Sequence, residues 1–127
     1  MTILLSCALL AVLLPYLAKI PVAYAQQQAG GYDNHQPRQQ QATLTGLGAR
    51  AVAAHQNCFE GLIIFAVVFA AVLATNTTGA AVQYLFVTHV VARVVYCICY
   101  WLDIHLLRSI VWAVGYLSLL AALVLCF

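Results

Sequence analysis

The chain has 127 residues, of which 65% are hydrophobic and only 6% are charged, with five Lys or Arg against three Asp or Glu. A soluble domain of this length needs far less apolar sequence for one core, so the composition excludes that class and indicates an integral membrane protein. The positive excess is too small and too widely spread for a nucleic-acid-binding surface, and no nucleic acid partner is expected.

Four segments are long and apolar enough to cross a bilayer, which takes about 20 mostly apolar residues. They are residues 3–25, 47–74, 80–102 and 108–127. Nothing remains for a soluble domain, so residues 1–127 are predicted to form one transmembrane domain. The second and third connections have about five residues each, which makes neighbouring helices antiparallel. The predicted fold is an all-α, antiparallel four-transmembrane-helix bundle.

The first apolar segment also has a feature of a cleaved signal peptide. The sequence AYA at residues 23–25 precedes Gln26, in the pattern that signal peptidase prefers. A signal peptide begins with a basic region, however, whereas Lys19 follows the apolar run here. A first transmembrane helix is therefore favoured, and cleavage is the alternative.

The one polar stretch, residues 26–41, is rich in Gln and contains two Gly and one Pro, so it is predicted to be a loop. Arg38 lies in this loop, Arg50 begins the second helix, and Arg108 lies at the third connection, whereas the second connection has no charge. Because cytoplasmic loops are enriched in Lys and Arg, the first and third connections are predicted to be cytoplasmic, with both termini outside.

The second predicted helix carries polar groups on two faces. Arg50, Asn57 and Glu60 lie within about 80° of one another, whereas His55 lies about 140° from either end of that group. In a lone bundle one of these faces would contact lipid, so the arrangement favours an oligomer in which this helix is shared between subunits. Glu60 lies well inside the span and needs an Arg or a hydrogen-bonding ligand; Arg93 is a candidate partner.

The third predicted helix carries its polar side chains on one face. His89, Arg93, Tyr96 and Tyr100 fall within an arc of about 60°. Ionisable groups inside a span are costly unless they face protein or water. A stripe this narrow favours a lined cavity, and polar contacts between helices are the alternative.

The fourth predicted helix opens with Arg108 and Ser109, and Trp112 and Tyr116 follow at intervals of four. A helix start presents free N–H groups, so an anion bound there would meet backbone donors and a guanidinium. The alternative is an interfacial anchor, because Arg and Trp are common at membrane boundaries.

The five cysteines are Cys7, Cys58, Cys97, Cys99 and Cys126. They form no CxxC pair and have no His at zinc spacing, so no metal site is expected. We predict that they behave as buried, small hydrophobic residues.

Three motifs resemble those of the membrane-associated proteins in eicosanoid and glutathione metabolism, the MAPEG family. They are RAVAAHQNCFE at residues 50–60 followed by Phe65, RVVY at residues 93–96 followed by Tyr100, and Arg108-Ser109. Their order and spacing, together with the hydropathy, extend the resemblance over the whole chain.

The resemblance implies a homotrimer that holds glutathione between subunits, towards the cytoplasmic side. The residues that would contact glutathione are Arg50, His55, Asn57, Glu60, Arg93, Tyr96 and Tyr100. Among them, Asn57 and Glu60 would hold the polar ends of the tripeptide. Arg108 would stabilise the glutathione thiolate, and Ser109 could donate a hydrogen bond.

The chain departs from the family pattern at several positions. Ile64 stands before Phe65 where many relatives have proline, and Gly61 stands where some have tyrosine. Ala53 and Gln56 occupy positions where some relatives have arginine. Fewer basic groups imply weaker or different glutathione contacts.

The resemblance implies a glutathione-dependent transferase or peroxidase that acts on lipophilic electrophiles or hydroperoxides. The segment DNHQPR at residues 33–38 is similar to the bacterial branch, which implies the bacterial inner membrane. The expected partners are membrane lipid, glutathione, a lipophilic small molecule and further copies of the chain. Because fold transfers more safely than activity, a non-catalytic lipid-binding scaffold or a small subunit of a membrane complex is the alternative.

Overall fold

The computed structural model describes residues 1–127 and contains six α-helices and no strand. The helices are α1 (Thr2–Ala18), α2 (Ile20–Gln28), α3 (Pro37–Thr43), α4 (Leu47–Ala74), α5 (Ala80–Trp101) and α6 (His105–Val124). Four helical segments are long and apolar enough to span a membrane: Thr2–Gln28, which comprises α1 and α2, and then α4, α5 and α6. The predicted all-α bundle of four transmembrane helices is confirmed.

The first span is interrupted at Lys19. The N–H of Lys19 donates to the carbonyl of Tyr16 at 3.2 Å, and Pro21 follows without any N–H to donate. His55 on α4 donates from Nδ1 to the carbonyl of Pro15 at 2.7 Å. A side chain from α4 thus satisfies a carbonyl beside the interruption and ties α4 to α1.

The polar stretch between the first two spans was predicted to be a loop, which is correct for residues 29–36 and wrong for the helical residues on either side of them. The α2 helix continues to Gln28, and α3 occupies residues 37–43. Pro37 suits the first turn of a helix, and Gln is a good helix former. Gln40 braces the segment: its Oε1 accepts from the fully buried Gln26 side chain at 2.8 Å, and its Nε2 donates to the carbonyl of Gly31 at 2.6 Å.

Two short turns make the last three helices antiparallel. Asn76 and Asp103, with φ of 57° and 61°, follow the ends of α4 and α5, and both residue types tolerate this left-handed conformation. The next residues, Thr77 and Ile104, donate their N–H groups back into the preceding helices at 3.0 and 2.9 Å. Each turn therefore satisfies carbonyls that the helix end would leave free.

The start of α6 differs from the prediction. The turn needs only residues 102–104, so the helix begins at His105 rather than at Arg108. Leu106 and Leu107 continue the helix because they are good helix formers and nothing polar interrupts it. Arg108 therefore lies in the fourth helical position.

The apolar core fills one half of the bundle. Leu4, Val72, Phe86 and Leu119 are completely buried there, and the Phe65 ring meets Phe86 edge to face at 5.1 Å between centroids. The polar residues of α4 and α5 lie between this core and the end of the bundle that carries α3. We call that end the loop end.

Candidate functional site

A hydrogen-bonded chain of three side chains links α5 to α4. Arg93 is 6% exposed, and its Nη2 donates to Asn57 Oδ1 at 2.6 Å and to the Asn57 carbonyl at 3.0 Å. Asn57 Nδ2 in turn donates to Glu60 Oε2 at 2.6 Å. The pairing of Glu60 directly with Arg93 that the sequence suggested is not formed, because the Asn57 amide lies between the guanidinium and the carboxylate.

These three residues border one cavity of about 70 Å³. The other lining residues are Gly61, Ile64, His89, Trp112, Tyr116 and Leu119. Arg93 Nε is buried without a hydrogen-bond partner, and it lies 3.1 Å from where a Cβ at Gly61 would be. The missing Cβ of Gly61 thus lets the Arg93 guanidinium pack directly against α4, and the Nε–H has no acceptor within the chain.

His89 lies deeper in the same cavity. It is buried, and its Nδ1 lies 2.9 Å from the carbonyl of Gly115 on α6. A carbonyl only accepts, so Nδ1 carries the proton and Nε2 of the neutral ring is left as an acceptor. His89, the residue of the predicted stripe that lies nearest the apolar core, therefore links α5 to α6.

The rest of the predicted stripe forms a series of stacked groups that continues towards the loop end. The Arg93 guanidinium carbon lies 4.4 Å from the centre of the Tyr96 ring. Tyr96 and Tyr100 meet edge to face at 5.3 Å, and the Arg108 guanidinium carbon lies 4.2 Å from the centre of the Tyr100 ring. Such cation–π contacts are each worth about 0.5–2 kcal/mol. The structure thus brings four predicted site residues into one continuous array.

Arg50 lies at the loop end, about two turns along α4 from Asn57. Its Nη1 lies 3.7 Å from Asp103 Oδ2, in the only ion pair of the structure, and its Nη2 donates to the carbonyl of Trp101 at 3.5 Å. The structure places Arg50 against the end of α5 and outside the cavity that Asn57 borders.

His55 faces the opposite side of α4, as the helical spacing predicted. Besides its bond to Pro15, it borders a second cavity of about 340 Å³ between the first span and α3. That cavity is also lined by Lys19, Arg38 and Phe59. Within one chain, His55 and the Asn57–Glu60 pair therefore lie on different surfaces of the bundle.

The expected anion site at the start of α6 is not formed at Arg108. Its backbone N–H donates to the carbonyl of Ile104 at 3.0 Å, so only the side chain is available to an anion. Ser109 donates its hydroxyl to the carbonyl of His105 at 3.2 Å, within the same helix. The Arg108 guanidinium instead packs over the Tyr100 ring.

Sequence reasoning missed some neighbours of these residues. Asp103 is predicted only as part of a connection, and its charge is the sole signal that could pair it with Arg50. Gly61 stands out in the sequence only as a departure from the family pattern. Its lack of a side chain is the signal that could have predicted the close approach of Arg93 to α4.

Comparison with known proteins gives one match. A model of the MAPEG family matches residues 3–127. No curated protein and no solved structure matches the chain. The family match covers all four membrane-spanning segments and every residue of the array described above.

Proposed function

Because the chain belongs to the MAPEG family, we propose that it is a glutathione-dependent membrane transferase or peroxidase. Family membership supports a glutathione-related function in a membrane in general terms. The specific proposal is that glutathione binds at the Arg93–Asn57–Glu60 chain and reacts with a lipophilic electrophile or hydroperoxide from the bilayer. The observation that carries it is this hydrogen-bonded chain of three side chains, which borders a cavity in an otherwise apolar bundle.

The charges of the Arg93–Asn57–Glu60 chain suit a zwitterionic tripeptide. Glu60 is exposed in the single chain and uses one carboxylate oxygen towards Asn57, which leaves the other for an ammonium group. Arg93 Nε–H is buried without an acceptor in the chain, so a carboxylate or a peptide carbonyl that entered the cavity beside it could accept this hydrogen bond. The tripeptide would thus meet one acceptor and one donor that the fold already holds in position.

Arg108 is proposed to act on the glutathione sulfur. A free thiol has a pKa near 8.5, so only a few per cent is thiolate at neutral pH. A guanidinium beside the sulfur lowers that pKa and increases the reactive fraction. The thiolate then attacks the electrophile, a bond forms to sulfur, and the leaving group departs with the electron pair of the broken bond. Ser109, whose hydroxyl donates within the helix, is a weaker candidate for a second donor.

The functional unit is proposed to be a homotrimer in the bacterial inner membrane, with both termini outside. The polar groups of α4 face two directions, and large apolar residues such as Leu9, Ile63 and Val67 are more than half exposed on the single chain. Lipid and neighbouring subunits would share this surface. His55 and Arg50 would then contact glutathione from an adjacent copy.

The decisive experiment is a glutathione binding isotherm on detergent-purified protein. We expect saturable binding that Glu60→Gln weakens, because the substitution removes the charge that meets the ammonium group. Gln83→Ala, near the opposite end of α5, is the matched control and should bind as wild type does. A wild-type protein without saturable binding would favour the non-catalytic scaffold.

A further inference from the structure

Cys58 and Cys97 face each other where α4 contacts α5. Their sulfur atoms lie 3.3 Å apart, and the two residues are 3% and 1% exposed. Both thiols are free. No other pair of cysteine sulfurs in the chain lies within hydrogen-bonding distance. The proposed glutathione chemistry uses neither residue.

From this geometry we propose that Cys58 and Cys97 are a modification site, at which a hydroperoxide oxidises the two thiols to a reversible disulfide. A disulfide bond is about 2.05 Å long, so the sulfurs need to approach by only about 1.2 Å. Side-chain rotation within two packed helices can supply a movement of this size. The bond would join α4 covalently to α5 and would not depend on glutathione binding to the chain.

A small cavity gives the oxidant access to one of the two sulfurs. It has a volume of about 10 Å³ and is lined by Cys58, Gly61, His89 and Arg93 among others, but not by Cys97. A space of this size holds roughly one water-sized group, which is enough for the terminal OH of a hydroperoxide whose remaining atoms lie outside the cavity. Arg93 also brings a positive charge near the thiolate that the reaction requires. We therefore assign Cys58 as the attacking thiol and Cys97 as the resolving thiol.

The reaction has two balanced steps. The Cys58 thiolate attacks the terminal oxygen of the hydroperoxide, an S–O bond forms, the O–O bond breaks, and the alkoxide takes up a proton and leaves as an alcohol. The Cys97 thiol then attacks the sulfenic sulfur, the S–S bond forms, and water leaves. Two thiols are oxidised, and one hydroperoxide is reduced to alcohol and water. A soluble dithiol reverses the modification by thiol–disulfide exchange.

The disulfide would form beside the Arg93–Asn57 hydrogen bond. Cys58 directly follows Asn57, and Cys97 lies one helical turn after Arg93. Oxidation would thus fix the spacing of the two helices at the level where the guanidinium meets the amide.

The test uses purified full-length protein treated with cumene hydroperoxide, followed by denaturation and a count of free thiols. Wild type should fall from five free thiols to three and recover five with dithiothreitol. A digest without reduction should contain one cross-linked peptide that joins Cys58 to Cys97 and is lighter by two hydrogens. Cys99→Ser, a buried neighbour on α5 without a sulfur contact, is the control and should lose two thiols in the same way.

Cys97→Ser separates the two steps. It should form no cross-link, and Cys58 should accumulate as a sulfenic acid that dimedone captures. Retention of all five thiols in wild type would overturn the proposal, and so would oxidation without the Cys58–Cys97 peptide. The wild-type peptide map tests the proposal by itself, so the test holds even if Cys97→Ser folds poorly.

Discussion

The Arg93 guanidinium is held by the Asn57 side chain, with 2.6 Å between Nη2 and Oδ1. Asn57→Ala removes this acceptor and leaves a buried charge with one partner fewer, so we expect the free energy of unfolding to fall by about 1–3 kcal/mol. Thermal unfolding in detergent measures the change. Gln56→Ala, at the exposed neighbouring position, should leave the stability as it is, and equal losses for both variants would argue against a special role for Asn57.

Arg108 is expected to change the ionisation of bound glutathione rather than its affinity. The ultraviolet absorbance of the thiolate, titrated against pH, should show that wild type ionises the bound thiol about 1–3 pH units below free glutathione. Arg108→Ala should bind the tripeptide but move the titration back towards the free value and depress turnover. Gln83→Ala, near the opposite end of α5, is the control and should titrate as wild type does. If glutathione bound to wild type ionised at the same pH as free glutathione, Arg108 would be an interfacial anchor instead.

Gly61 is expected to control ligand binding through Arg93. A Cβ at this position would lie 3.1 Å from Arg93 Nε and 3.4 Å from Cζ, so Gly61→Ala should displace the guanidinium. Alanine also favours the helix by about 1 kcal/mol, so stability should change little while the glutathione dissociation constant rises several-fold. Calorimetric binding and thermal unfolding on the same preparation separate these effects. The control is Gly79→Ala, where nothing lies within 4 Å of the added carbon.

His55 is expected to stabilise the interrupted first span. His55→Ala leaves the Pro15 carbonyl unsatisfied in a partly buried position and should cost about 1–3 kcal/mol of unfolding free energy. His105→Ala changes an exposed histidine at the start of α6 and should have a much smaller effect. Comparable losses for the two histidines would contradict the role of the Pro15 bond.

The proposed orientation can be tested by chemical labelling. Single cysteines introduced at Gln28 and Thr77 in a cysteine-free background should react from opposite sides of sealed vesicles, because the two positions flank opposite ends of the bundle. The first should label from the cytoplasmic side. Labelling of both positions from one side would overturn the topology.

Hydropathy was sufficient to predict the four spans, because a bilayer requires long apolar helices and this chain contains little else. It could not predict where α6 begins. The apolar Leu106 and Leu107 are compatible with either a connection or a helix, and the tight turn at Asp103 decided between them. The α3 helix was missed because Gly and Pro in a Gln-rich stretch are typical of a loop, although Pro37 can also begin a helix.

Helical spacing predicted which residues share a helix face but could not give their partners on other helices. An angle around a helix says which face a residue occupies, and not how far it lies from a residue on the next helix. Arg93 was therefore predicted as a direct partner for Glu60, although Asn57 occupies the space between them. Arg50 and Asp103 are too far apart in sequence for any local pattern to have paired them.

The bond between His55 and Pro15 has a consequence for biosynthesis. The ribosome completes the first span before it makes α4, so during that interval the partner of the Pro15 carbonyl does not yet exist. An unpaired carbonyl in hydrocarbon is costly, which favours keeping the nascent first span beside water or the insertion machinery until the second one emerges. The first two spans should therefore enter the bilayer together, as a hairpin joined by the folded segment around α3.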